Sequence, residues 1–378
     1  MGVSIQVVST GGRIRRGALR AVATAVVCCS AVPASDAADL LARRLALKFR
    51  QGSLSTTEFR SSILETATLS GRTVTHSATL IGTNRQIVAD VEAWDGAALI
   101  GQIGQGRWTV ADGTNAAGRE GRDEIWIAAY RVERNGRALT RSVPESDPAA
   151  EAAKPDAIRR ALNQLGETSQ LCAAFPKQDL AVGSTWSGGV FLPLPGIRQP
   201  GQATSRVTAV VPTNDTVLYR IRSELRSTAK PARHAVAGNA DPSEMEVEGV
   251  SEGLFDAERG HWRSMTVDLK ALVNQRGFAG TIEIRSSAEL LSSERLPPEL
   301  DRTYHRRVLR FDAALDRLYA RDLQAGLLRL RDLVLSEPDP EWKRALAAVL
   351  SLARPLQKQP AADRREQPAE NDSRTPQR

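Results

Sequence analysis

Residues Gly249-Val250-Ser251-Glu252-Gly253 set a serine between two glycines in the G-x-S-x-G pattern of a hydrolase nucleophile elbow. That chemistry needs the serine on a strained strand-to-helix turn, with a carboxylate and then a histidine later in the chain. Asp268 and His305 supply the order. The surroundings do not supply the turn. Met245 and Val247 before the motif, and Leu254-Phe255-Asp256 after it, read as strand passing into a loop and another strand. The expectation is therefore small residues on a β-strand and a Ser251 that is not a nucleophile. The histidines, His76, His234, His261 and His305, are far apart and form no H-E-x-x-H or H-x-H spacing, so no metal site is expected. His261 beside Trp262 reads as packing at a strand start. Asp256 and Glu258 flank a turn; they have the types for paired acid–base work but read as solvated turn acids. Gly101, Gly104 and Gly106 do not fit the dinucleotide fingerprint and precede no helix. Cys172 reads as a small buried residue rather than a reactive thiol. No catalytic, cofactor-binding or metal-binding residue is assigned, and no cofactor is expected.

The elements that would position these residues are mostly strands. Ile87, Ala89, Val91 and Ala93 alternate toward Asp95-Gly96, and Leu99, Gly101 and Ile103 follow at period two, which predicts a tight hairpin. Ile125-Trp126-Ile127, Tyr130 and Val132 lead to a second turn at Asn135-Gly136. Further strands are predicted at 207–211, 217–225, 245–255, 262–269 and 281–290, with a loop at 256–260 and a long Pro-, Ala- and Gly-containing loop at 228–242. At Pro297-Pro298 the period changes to helical. Val308, Phe311, Leu315 and Leu318 form one stripe, and Leu323, Leu327, Leu330 and Val334 a second. Trp342, Leu346, Val349 and Leu350 form a third after Pro338 and Pro340. The expected fold is mainly β, with antiparallel sheets in two β-rich blocks (a sandwich or an open barrel) and a short α-helical C-terminal region. Its parts are 38–143, a linker with a short helix at 144–174, 175–296 and 297–354. The linker helix begins at Pro155 and stops at Gly166. Residues 355–378 are too polar to offset chain entropy and read as a disordered tail.

The N-terminus reads as an export signal over 1–37. Arg13, Arg15 and Arg16 precede an uncharged run from Ala21 to Ala34, and small residues at Val32-Pro33-Ala34 or Ser35-Asp36-Ala37 suit a signal peptidase. The run is too short to span a bilayer. Arg15-Arg16 leaves the choice between general secretion and twin-arginine export open. Neither Cys28 nor Cys29 follows the small residue that lipidation wants. Four arginines against Asp36 give this segment +3 of the chain's +7, leaving +4 on residues 38–378. That interspersed charge does not argue for nucleic acid. With Cys172 the one cysteine left, the mature chain has no internal disulfide and too few thiols for a structural zinc site.

Three segments carry a resemblance, and a fourth, later one also fits it as a strand, an acidic turn and a strand. They are Leu45-Ala46-Leu47-Lys48-Phe49-Arg50-Gln51-Gly52, Val91-Glu92-Ala93-Trp94-Asp95-Gly96-Ala97-Ala98, Phe175-Pro176-Lys177-Gln178-Asp179-Leu180-Ala181-Val182-Gly183-Ser184-Thr185-Trp186 and Gly253-Leu254-Phe255-Asp256-Ala257-Glu258-Arg259-Gly260-His261-Trp262. Over about residues 40–292 the chain resembles the DUF6263 group of secreted and lipoprotein-type bacterial domains of unknown function. The resemblance implies an envelope location and antiparallel β architecture, and brings no catalytic residue. The expected function is a non-enzymatic binding or structural module of the periplasm or envelope. Its partner would be an unknown ligand or envelope protein, with no nucleic acid and no membrane span after signal removal. Two readings stand against it: an envelope hydrolase using Ser251, and a scaffold that docks other proteins through its C-terminal helices. A concave apolar pocket between sheet and helices would favour ligand binding.

Overall fold

The structure is a computed structural model that describes residues 42–69, 72–93, 96–112, 115–139, 172–194, 197–213, 215–227, 244–275, 278–319 and 322–353. The expected signal segment, linker helix, 228–242 loop and C-terminal tail lie outside these residues.

The protein is mainly β, a single antiparallel sheet of eleven strands followed by three helices. The strands are β1 (Ser53–Leu69), β2 (Arg72–Val91), β3 (Ala98–Asp112), β4 (Asn115–Val132), β5 (Ala138–Leu139), β6 (Thr185–Leu194), β7 (Ile197–Pro212), β8 (Val217–Ser227), β9 (Glu244–Asp256), β10 (His261–Gln275) and β11 (Phe278–Arg295). Their order is β5-β4-β3-β2-β1-β11-β10-β9-β8-β7-β6. The two β-rich blocks read from the sequence thus join through β1 and β11, which pair along their whole length from Ser53↔Arg295 to Leu69↔Phe278.

Hydrogen bonds at one end show that the sheet curls. The backbone N–H groups of consecutive residues Leu47 and Lys48 donate to Arg134 O (2.6 Å) and Gly260 O (3.1 Å). Those carbonyls sit in the β4–β5 and β9–β10 turns. Five strand spacings separate β4 from β10, roughly 24 Å if the sheet were flat, yet two adjacent residues reach both turns. The Phe175 N–H also donates to Asn135 O (2.7 Å), so residues 172–175 brace the same end.

Curling gives the sheet an inner and an outer face, and strand alternation sorts the residues between them. The inner face is apolar. Trp186, Val190 and Leu192 of β6, Ile221 and Leu225 of β8, Phe255 of β9 and Val267, Leu269 and Ala271 of β10 are buried with Leu45, Phe175 and Leu180. Ile100, Tyr130 and Val132 continue that face on β3 and β4. The outer face divides in two. On β8 to β11 it carries Arg222, Glu248, Glu252, Asp268, Lys270 and Arg285, with Asp268 and Arg285 paired at 3.2 Å. On β2 to β4 it is apolar (Ile87, Ala89, Leu99, Ile103, Ile127, Ala129) and is covered by helices.

Those helices are α1 (Pro298–Tyr319), α2 (Leu323–Ser336) and α3 (Pro340–Ala353). Proline opens α1 and α3, where its missing N–H costs nothing. Asp339 caps α3 by accepting from Glu341 N (2.9 Å) and Trp342 N (3.2 Å). The stripes read from the sequence face the sheet or one another: Val308, Phe311, Leu315, Leu318, Leu330, Trp342 and Leu346 are almost fully buried. Burying each larger side chain contributes about 1.5–3 kcal/mol. Arg131 of β4 reaches the buried Asp312 of α1 (3.2 Å) and Glu92 (2.8 Å), and His305 Nδ1 lies 2.6 Å from Ala89 O. Arg307 joins α1 to the α2–α3 connection through Glu337 (2.7 Å) and Asp339 (3.4 Å).

Two local expectations need correction. The turn after β2 is not a two-residue hairpin: β2 ends at Val91 and β3 begins at Ala98, with Glu92 N donating to Ala97 O. The alternation through Ala93 also fails, because the β2–β3 register shifts between Val88 and Asp90. A bulge there adds Ala89 without a partner and changes the course of the strand.

Candidate functional site

Gly249 and Gly253 have structural work on β9. A Cβ on Gly253 would lie 2.7 Å from the Trp262 ring, and one on Gly249 would lie 2.3 Å from Asp268 O. The glycines let β10 and its tryptophan pack across β9. Ser251 between them is buried on the inner face, in register with Ser223 of β8. Ser223 in turn meets Ser205 of β7 (2.8 Å), whose Oγ accepts from Ala173 N (3.1 Å). The structure does not bring the other two triad candidates to Ser251. Asp268 points outward to Arg285, and His305 lies on α1 over the outer face of β2. Ser251 also sits within a strand, not at a strand-to-helix turn.

Asp256 is not the solvated turn acid the sequence suggests. It is fully buried and organises the β9–β10 turn, accepting from Thr216 Oγ1 (2.6 Å), Arg259 N (2.8 Å) and Glu258 N (3.1 Å). Burial pushes its carboxyl up. The Thr216 and Arg259 hydrogen bonds and the charges of His261 and Arg259 outweigh that and hold it below the usual carboxylate range. Glu258 is exposed and pairs with Arg43 (3.1 Å). Burial lowers the His261 imidazole, and Arg263 and Arg259 add to this against the pull of Asp256. Among the described residues, no group of three His, Cys, Asp or Glu is placed to hold a metal ion.

The place where chemistry-bearing and apolar residues do meet is a cavity of about 980 Å³ at the braced end of the trough. It lies on the inner face, so the sheet separates it from the helices; the pocket is not between sheet and helices. Much of its wall is apolar: Phe49, Val88, Ile100, Tyr130, Phe175, Trp262, Met265, Ala288 and Leu290. Phe175 anchors the apolar part, with ring centroids 4.8 Å from Phe255 and 6.0 Å from Trp262. The rest is polar. Ser53, Ser55 and Thr57 of β1 and Ser293 of β11 line it with Asn84 and Gln86 of β2. Gln86 Nε2 and Tyr130 OH both donate to Gln102 Oε1 (3.3 and 3.4 Å). Lys48, Arg50, Arg259, Arg263 and Arg295 also line the cavity, against Glu258 and Glu294. Cys172 is half-buried in the wall, and burial pushes its thiol up to about 12.

Sequence reading missed this site because its parts are dispersed. β1 contributes Ser and Thr at inward positions, which leave no hydrophobic alternation to find. Arg263 enters through a register shift between Trp262 and Ser264, and Leu291 through another between Thr56 and Thr57 of the partner strand. Such bulges re-aim side chains without a composition signal.

No family model and no curated protein matches the chain. Among solved structures, one of lipovitellin concerned with lipid–protein interactions aligns with 66% of this chain at 12% identity and a TM-score of 0.36; the match spans about a quarter (26%) of the lipovitellin chain. The translocator domain of the autotransporter NalP from Neisseria meningitidis aligns with 64% of this chain and 90% of its own, at 12% identity and a TM-score of 0.19. Ail, the attachment invasion locus protein of Yersinia pestis, aligns with 64% of this chain and 100% of its own, at 8% identity and a TM-score of 0.14. With TM-scores this low, the description of the fold rests on this chain's own strand register.

Proposed function

We propose that this protein is a non-enzymatic module of the bacterial envelope that binds an apolar or amphipathic ligand in the cavity of its curled sheet. The observation that carries the reading is the cavity of about 980 Å³, walled by Trp262, Phe175, Tyr130, Ile100, Met265 and Leu290. Ligand sites are typically concave, largely apolar and about 300–1,000 Å³ in size. The distribution of residues supports it. A membrane-spanning barrel turns its apolar face outward to lipid. Here β8 to β11 turn charges outward and apolar side chains inward. No helix among the described residues is long and apolar enough to cross a membrane. The buried helical stripes pack on the sheet and on one another.

The test is titration with a neutral, environment-sensitive dye such as N-phenyl-1-naphthylamine. Saturable binding is expected in the native chain. It should be lost in Ala288→Trp, which fills the cavity from β11, with melting unchanged. No saturable binding, or equal binding by the variant, overturns the proposal.

A further inference from the structure

We infer that the ligand is an anionic amphiphile, its apolar tail against the aromatic wall and its head group, a carboxylate or a phosphate, held by Arg50, Arg263 and Arg295. This rests on reading the cavity as a ligand site. The cavity is itself amphipathic. Its lining combines apolar side chains with a run of hydroxyl and amide groups along β1, including Ser53 and Ser55, paired with Ser293 of β11. Strand register places Arg295 opposite Ser53, on the same face as the Ser55–Ser293 pair. Arg50 lies just before β1, its carbonyl accepting from Ser53 N (3.0 Å). Arg263 is the extra residue of the β10 bulge, which frees it from the strict alternation of the strand.

Charge decides the class of head group. Five cationic side chains line the cavity against two carboxylates. Of those carboxylates, Glu258 is engaged by Arg43. Glu294, opposite Leu54, is exposed at the end of β11. Among the described residues, no carboxylate pairs with Arg50, Arg263 or Arg295, so their charges are available to a ligand in the cavity. Guanidinium groups beside hydroxyls and a nonpolar wall suit an oxyanion attached to a hydrocarbon tail. A neutral apolar ligand would leave these charges without a use, and a cationic one would be repelled.

The experiment is displacement of bound N-phenyl-1-naphthylamine by ligands of equal chain length: palmitate, hexadecyl phosphate, hexadecanol and hexadecyltrimethylammonium, all below micelle formation. The two anions should displace the dye at concentrations lower by about tenfold or more than hexadecanol, with the cation weakest. Their order relative to each other separates carboxylate from phosphate. Arg50→Gln, Arg263→Gln and Arg295→Gln together should abolish the preference while dye binding persists. If that variant does not fold, Arg263→Gln alone should reduce the preference, and raising salt should shrink it in the native chain. Equal displacement by anions and hexadecanol overturns the head-group assignment and leaves the cavity standing. Failure of the dye itself to bind removes both.

Discussion

Gly101 tests whether the helices are seated on the sheet as described. It lies on the outer face of β3 under α1, and a Cβ there would stand 2.2 Å from Val308 Cγ2 and 3.1 Å from Cγ1. Ordinary contact begins near 3.4 Å, so the nearer methyl would have to move by more than 1 Å. Val308 is 1% exposed, and its χ1 is held by branching within a helix, so little room exists for that movement. Gly101→Ala should therefore cost about 1–3 kcal/mol as an overpacking change. Without a helix overhead the sign reverses, because Gly→Ala in a strand interior is stabilising by roughly 0.5–1 kcal/mol. Val308→Ala deletes two buried methyl groups and should cost about 2 kcal/mol. In the double variant the nearest remaining Val308 atom is Cβ at 3.2 Å, a contact that small shifts relieve. The two losses should then fall short of additivity by about 1–2 kcal/mol. Urea unfolding followed by tryptophan fluorescence measures all four corners of the cycle. A stabilised Gly101→Ala, or additivity within about 0.5 kcal/mol, would refute the docking of α1 on β3.

Five further outcomes are expected. Ending the chain at Leu296 should bare Ile87, Leu99, Ile103 and Ile127, lowering the melting temperature and causing aggregation on size exclusion, whereas ending it at Pro355 should not; unchanged melting in the shorter chain would make the helices an independent appendage. Because burial lowers His261, the unfolded chain takes up a proton before the folded one does: stability present above about pH 6.5 should fall as pH drops below that value, and His261→Asn should flatten the urea midpoint between pH 7 and 5. Asp256 acts in the same direction in a more acidic window, its stabilisation being present above about pH 3.8 and lost as pH falls through its lowered folded value. Cys172, with its thiol near 12, should react with a disulfide reagent at pH 8 about a thousandfold more slowly in the folded than in the urea-unfolded chain once Cys28 and Cys29 are replaced by serine; equal rates would show the thiol is not buried. A fluorophosphonate probe should leave Ser251 unlabelled, and labelling lost in Ser251→Ala would restore the hydrolase reading.

Local pattern in the sequence carried the strands and helices. Period-two alternation located β7 to β11, since each buries one face and exposes the other, as Arg220, Arg222, Glu224 and Arg226 do against Tyr219, Ile221, Ser223 and Leu225. The 3.6-residue stripes and the prolines located α1 to α3, because a helix buries one side and proline suits its first turn. A strand with inward serine and threonine left no such trace: the cavity end of β1 is held by pairing with β2 and β11 rather than by apolar alternation. The cavity was decided by tertiary structure alone. Its walls come from residues as far apart as Phe49, Tyr130, Trp262 and Leu290, brought together by the β1–β11 pairing and by the curl that lets Leu47 and Lys48 bond two distant turns. Periodicity reports which side of one strand is apolar, but says nothing of how far the sheet bends or which strands face each other across it. That is set by long-range hydrogen bonds and bulges, which have no signature in a local window of residues.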